Sequence, residues 1–258
     1  MKKELIFAFS AFFFMSLSAI TGVYAVEEAN KTEIISKDLV DLTGDDKKET
    51  IYIKGIPVED KAEFLKEIYI SIVASNGKEY KINLDGGYEP SIQYKDLNND
   101  GINDMFISVP TGGSGGLSNF YLYTLKDYTL TDLTVPEPLI IQSEFLNDYK
   151  GKITITEINK SYTFDLKDRA KDYERLGLYI NGSLSEPSEL MVLPYGTLTP
   201  VRVQNQRLGL EGVQRISGAY NADSIAFVES KWIMENGKWE LLETKVKKID
   251  SPKKEKED

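Results

Sequence analysis

The chain has 258 residues, a formal net charge of −10, and neither cysteine nor histidine. Without His there is no Ser-His-Asp or Cys-His nucleophile system and no His-held zinc, copper or haem; without Cys there is no disulfide framework, iron–sulfur cluster or thiol nucleophile. Oxygen is left as the metal ligand, which suits hard cations such as calcium and magnesium, and 41 Asp and Glu against 31 Lys and Arg argue against a nucleic-acid backbone as partner.

Residues 1–25 have the three-part layout of a secretory signal peptide: Lys2 and Lys3, an almost wholly apolar run over 5–20, then Val23-Tyr24-Ala25 as a small-residue cleavage site. The apolar run is shorter than the roughly 20 residues a membrane span needs, and no Cys follows it to carry a lipid. The expectation is export to the extracellular space or cell surface, with no stable membrane insertion after cleavage. From Ile34 onward, short β-rich runs alternate with turn signals, as in 50–53, 68–73 and 80–84. Asn76-Gly77 and Asn236-Gly237 each join two such runs and mark tight hairpins, because Asn and Gly accept the positive φ these turns require. Further strands are expected over 105–109, 119–123, 128–130, 153–156, 162–164, 231–234 and 239–242. Helix is scarce, with two short candidates at 59–67 and 166–175, either of which could be loop. Ten to fifteen short strands at this spacing predict an all-β fold. The charged tail 252–258 contains no large apolar residue and is expected to be disordered.

Two acidic loops carry the specific signal. In 41–49, Asp41, Thr43, Asp45 and Glu49 occupy positions 1, 3, 5 and 9; in 96–104 the same positions hold Asp96, Asn98, Asp100 and Asp104. Alternate residues of a tightly curled loop converge on one centre, and the backbone carbonyl at position 7, of Lys47 or Ile102, can add a further oxygen. Calcium takes six to eight oxygens, and such a loop with water supplies them. The second loop has Gly101 at position 6, where the backbone turns sharply; the first has Asp46 there and the weaker ligand Thr43, so the second is expected to bind more tightly. Neither loop is an EF-hand: position 12, where that motif has a bidentate Glu, is Tyr52 or Ile107, and a strand follows instead of a helix.

The loops begin 55 residues apart, and each is followed by a strand, a polar stretch and a hairpin. Periods of this length with about four strands suggest propeller-type blades. With 41–53, 96–109, the following Gly112-Gly113-Ser114-Gly115-Gly116, and 214–223, the chain resembles secreted bacterial proteins with calcium-binding VCBS or FG-GAP-like repeats, of the Bacillus type. The resemblance implies a propeller-like or irregular multi-blade β domain over 26–250, in modules of about 36–90, 91–136, 139–192 and 198–249, with calcium as cofactor. A third calcium loop would fall near Val201, but 201–209 lacks oxygen ligands at positions 1, 3 and 9 and carries Arg202 and Arg207. A strand over 201–204 and an ion-free turn over 205–209 are expected, with an arginine free to donate to loop carbonyls or to Glu211.

Gly112-Gly113-Ser114-Gly115-Gly116 matches the G-x-S-x-G pattern of serine hydrolases, but no His is present to serve as base and a strand follows, so it reads as a glycine-rich turn. It also lacks the Lys-Ser/Thr ending of a phosphate loop. A carboxylate pair could cleave glycosidic bonds without His; Asp85, Glu89, Glu144, Glu157 and Asp223 are available, and no spacing singles out a pair. Trp232, Trp239 and Tyr220 could stack on sugars but have the spacing of core residues. The sequence therefore points to a secreted, non-catalytic calcium-binding β-repeat protein, a surface module for an extracellular protein or polysaccharide. A secreted carbohydrate-active hydrolase is the alternative.

Overall fold

The structure, a computed structural model, describes residues 31–249; the expected signal peptide and charged tail lie outside them. The described residues are all-β, with 57% of them in strands, 8% in helix, and several small sheets that among these residues do not close into a barrel. The first sheet contains β1 (Glu33–Val40), β2 (Glu49–Pro57), β3 (Leu65–Val73) and β4 (Glu79–Leu84). The second contains β5 (Ser91–Lys95), β6 (Asp104–Gly112), β7 (Leu117–Thr124) and the short β8 (Thr131–Asp132). The third contains β9 (Ile141–Leu146), β10 (Lys150–Ile155) and β11 (Lys160–Asp165). Helix α1 (Ala170–Arg175) and a ribbon of β12 (Tyr179–Ile180) and β13 (Ser183–Leu184) then lead to the fourth sheet. Its strands are β14 (Met191–Arg202), β15 (Leu208–Ser217), β16 (Ser224–Glu235) and β17 (Lys238–Lys248). In all four sheets sequential strands are antiparallel neighbours, an unbroken up-and-down order.

Period-two patterning explains the layering. Along β2, alternate residues are buried, so Ile51 and Ile53 face inward while Tyr52 and Lys54 face outward. Strand β6 is buried on both faces. Its Met105, Ile107 and Val109 pack with Ile51, Ile53, Ile70 and Ile72 of the first sheet, whereas Phe106 joins Leu122, Tyr195, Leu198, Leu210 and Met234. The second sheet is thus held between the first and the fourth. The inner face of the fourth sheet is shared, because Ile216, Ala226, Val228 and Trp232 pack on Phe145, Ile153, Ile155 and Phe164 of the third.

Two predicted elements differ. Residues 59–67 form no helix: a loop runs to Phe64, and β3 begins at Leu65, whose N–H and C=O both pair with Gly87. Burial of Leu65 against the sheet outweighs the weak local helix signal. Residues 128–130 are not a strand; a 3₁₀ turn over Lys126–Tyr128 replaces it, with Asp127 and Tyr128 both at positive φ. The expectation at 166–175 corresponds to a 3₁₀ turn, Lys167–Arg169, running into α1. Asn236 and Gly237 both have positive φ, as their hairpin requires; at the first Asn-Gly pair only Gly77 does, because that hairpin closes through a longer turn in which Ala74 N–H donates to Lys78 O.

Candidate functional site: two acidic loops

Each acidic loop closes the first hairpin of its sheet. Val40 pairs with Glu49 across the first, and Lys95 with Asp104 across the second. Their backbones curl alike. Position 4 is left-handed in both (Gly44, φ 81°; Asn99, φ 60°), and so is position 6 (Asp46, φ 62°; Gly101, φ 89°). The loops have exchanged which of these positions carries glycine. The carboxylate at position 9 accepts the N–H of position 2 in each: Leu42 to Glu49 at 2.8 Å and Leu97 to Asp104 at 2.9 Å. The carboxylate at position 5 accepts the N–H of position 7, from Lys47 or Ile102, at 3.0 Å.

Oxygen capacity separates the loops. In the first, Asp45 Oδ1 accepts from Thr43 Oγ1 and Lys47 N–H, while Oδ2 accepts from the hydroxyls of Ser75 at 2.8 Å and Tyr128 at 2.5 Å. A carboxylate offers about four lone-pair sites, so Asp45 is saturated. The Tyr128 hydroxyl, followed by that of Ser75, holds its carboxyl far below the usual carboxylate range. Glu49 is fully buried, and its two oxygens take the N–H groups of Leu42 and Ser75. Asp41 accepts from Thr43, Gly44 and Asp46.

In the second loop, Asp96 accepts one N–H on each oxygen, from Asp100 and Gly101. Asn98 Oδ1 accepts from Asp100. Asp100 accepts Ile102 N–H on Oδ1, and on Oδ2 the Asn98 amide and the Lys126 ammonium, the last at 3.2 Å. Asp104 is fully buried; its Oδ2 accepts from Leu97 and Asn98, while Oδ1 has no hydrogen-bond partner. Burial pushes its carboxyl up to about 6, against the lowering effect of those two amides and of the nearby Thr124 hydroxyl. An unpaired buried carboxylate oxygen is costly unless a cation or proton meets it. Among the described residues no three acidic side chains stand close enough to hold a metal as they lie, so a cation here would also depend on Asn98 and the Ile102 carbonyl.

Three partners of the loops left no mark in the spacing: Ser75, Lys126 and Tyr128. The 3₁₀ turn carrying the last two lies across both loops, with Asp127 N–H donating to Thr43 O at 3.1 Å, Tyr128 on Asp45 and Lys126 on Asp100. The loops also abut, since a Cβ at Gly44 would stand 2.7 Å from Ile102 Cδ1. The matching hairpin of the fourth sheet is shorter: β14 ends at Arg202, which pairs with Leu208. The turn therefore falls two residues earlier than expected. Asn205 and Gln206 are left-handed, and Arg202 Nη1 donates to Gln206 O at 3.3 Å. Arg207 reaches Glu235 and Met234 O, not Glu211.

The acids considered for hydrolysis are dispersed. Asp85 accepts from Tyr121, Glu144 from Lys152 and Glu157 from Ile140 N–H; Glu89 lies between the first and second sheets at φ 39°. Asp223 is buried and bound by Arg169, Tyr173 and Ala219 N–H. Trp232 is buried, Trp239 is partly buried against the core and Tyr220 is exposed. The Gly-rich segment is the β6–β7 turn, with Arg215 donating to Ser114 O and Gly115 O.

Residues 139–247 match the YybI C-terminal domain family. Over 204 residues the chain is 28% identical to the uncharacterized protein YybI of Bacillus subtilis (strain 168), covering 74% of this chain and 77% of that protein. Among solved structures, the exotype rhamnogalacturonan lyase YesX aligns with a TM-score of 0.36 and 15% identity, over 84% of this chain and 33% of that one.

Proposed function

We propose that this is a secreted, non-catalytic calcium-binding β-repeat protein of VCBS/FG-GAP character, a blade-built module for extracellular or cell-surface binding. Loop 96–104 is its principal calcium site. The observation that carries this reading is the buried, unpartnered Oδ1 of Asp104 in a loop where Asp96, Asn98 and Asp100 keep unused lone pairs. Calcium would supply charge neutralisation there and tie β5 to β6. Loop 41–49 is the weaker site, because Tyr128 and Ser75 must leave Asp45 before it can ligate.

Calorimetric titration of the purified chain with calcium tests this. The expected result is a tighter event abolished by Asp100→Ala and, if a second event is seen, a weaker one removed by Asp45→Ala. Absence of calcium uptake, or a tighter event lost in Asp45→Ala and kept in Asp100→Ala, overturns the assignment.

A further inference from the structure

The first and fourth sheets each turn one face to solvent, and the two faces differ in charge compensation. On the fourth, Lys231 pairs with Glu243 at 2.9 Å and with Glu211 at 3.9 Å, and Lys247 pairs with Glu229. On the first, Lys37, Lys54 and Lys81 form no ion pair with any carboxylate of the described residues, in a chain whose net charge is −10.

These lysines alternate with two tyrosines. Lys37 on β1 is opposite Tyr52 on β2, which is opposite Ser71 on β3 and, beyond it, Lys81 on β4. In the next row, Lys54 is opposite Tyr69. Lys37 and Lys54 lie over the Tyr52 ring at 5.6 and 5.2 Å, and Lys54 and Lys81 over the Tyr69 ring at 5.9 and 4.2 Å. The result is one continuous ladder of cation, ring, cation, ring, cation. With strands about 4.8 Å apart, it crosses roughly 14 Å of sheet. Ile34 and Leu39, 63% and 55% exposed, lie beside it, and Glu67 and Glu79 are at its margins.

We infer that this face binds an acidic polysaccharide chain. A flat row of ammonium groups fixed over rings suits a linear polyanion whose sugar rings can rest on Ile34, Leu39 and the tyrosine edges. Nucleobase stacking needs bare aromatic faces, and here lysines lie over them. An isologous contact with a second copy would set lysine against lysine. The inference rests on the binding-module part of the function proposed above and is independent of its calcium part.

The test is affinity electrophoresis of the full chain through gels containing alginate or neutral dextran, with chelator present throughout. Retardation by alginate and not by dextran is expected, weakening as salt rises. The Lys37→Gln/Lys54→Gln/Lys81→Gln variant should bind roughly tenfold more weakly or worse, and the corresponding Arg variant should keep binding. An unchanged melting temperature shows that the Gln variant is folded. Absence of retardation by alginate, or retardation unaffected by the three Gln substitutions, overturns the inference. So does tighter binding to single-stranded oligonucleotide or to phosphatidylglycerol vesicles, or a lysine-dependent dimer. Because chelator excludes calcium, failure here leaves the calcium titration to be judged separately.

Discussion

Glu49 and Asp104 occupy the same place in their loops, and both are fully buried, yet they make different demands on their surroundings. The longer Glu side chain reaches two backbone amides, Leu42 and Ser75, one on each oxygen. The shorter Asp places both amides on Oδ2 and leaves Oδ1 bare. One methylene thus separates a carboxylate with both oxygens hydrogen-bonded by the chain from one with a bare buried oxygen. Glu49→Gln should therefore turn a carboxamide NH₂ toward an amide donor and cost roughly 2 kcal/mol, read as a lowered urea midpoint with unchanged slope. Asp104→Asn should remove calcium uptake by the second loop while leaving the apo protein no less stable, since the buried charge is gone; a calcium titration and a melt of the apo variant check the two halves.

At the scale of the element, the loops are one backbone written twice. Positions 4 and 6 are left-handed in both, and each loop places its glycine at a different one of them. Asp and Asn tolerate this region; a β-branched residue does not. Asp46→Val is expected to lower stability by about 1–2 kcal/mol, whereas Asp46→Gly should stay within about 0.5 kcal/mol of the parent; paired thermal melts distinguish them. The same local logic failed at 128–130, where Tyr128 ends a 3₁₀ turn and Thr129 and Leu130 follow it outside any strand. Long-range bonds hold that turn, with Tyr80 Oη donating to Tyr128 O at 2.6 Å and Tyr128 Oη donating to Asp45. Two consecutive left-handed non-glycine residues, Asp127 and Tyr128, persist because those contacts over-determine them.

For the molecule as a whole, stability depends on how the four sheets are joined. Gln214, buried on the fourth sheet, accepts Leu139 N–H at 2.8 Å and donates to Leu139 O at 3.1 Å, fixing the segment that enters the third sheet. Gln214→Leu leaves both groups unpaired and should cost about 2–3 kcal/mol, measurable by chemical denaturation. A second joint is formed by the partly buried Arg169 with the buried Tyr173 and Asp223, which ties α1 and the 3₁₀ turn before it to the β15–β16 turn. The calcium proposed above would act at this scale as well. At a hundredfold excess over Kd it would add about 2.7 kcal/mol of stability, so calcium should raise the melting temperature and chelator lower it. Coincident melting curves with and without chelator would count against occupancy of either loop.

The sequence by itself determined the all-β class, most strands, the Asn-Gly hairpins and the two curled loops, because period-two burial and turn chemistry act over a few neighbouring residues. It also placed Asp41, Asp45, Asp96 and Asp100 at their loop positions. Only the tertiary structure decided which oxygens remain free. Ser75 and Tyr128 reach Asp45 from 30 and 83 residues away, and neither spacing nor periodicity carries information about such pairings. The packing of the second sheet between the first and the fourth likewise depends on side-chain fit between distant strands, and so does the exposure of the lysine–tyrosine face. Alternation shows that a strand has two faces; what covers each is settled by the neighbours that the folded chain brings to it.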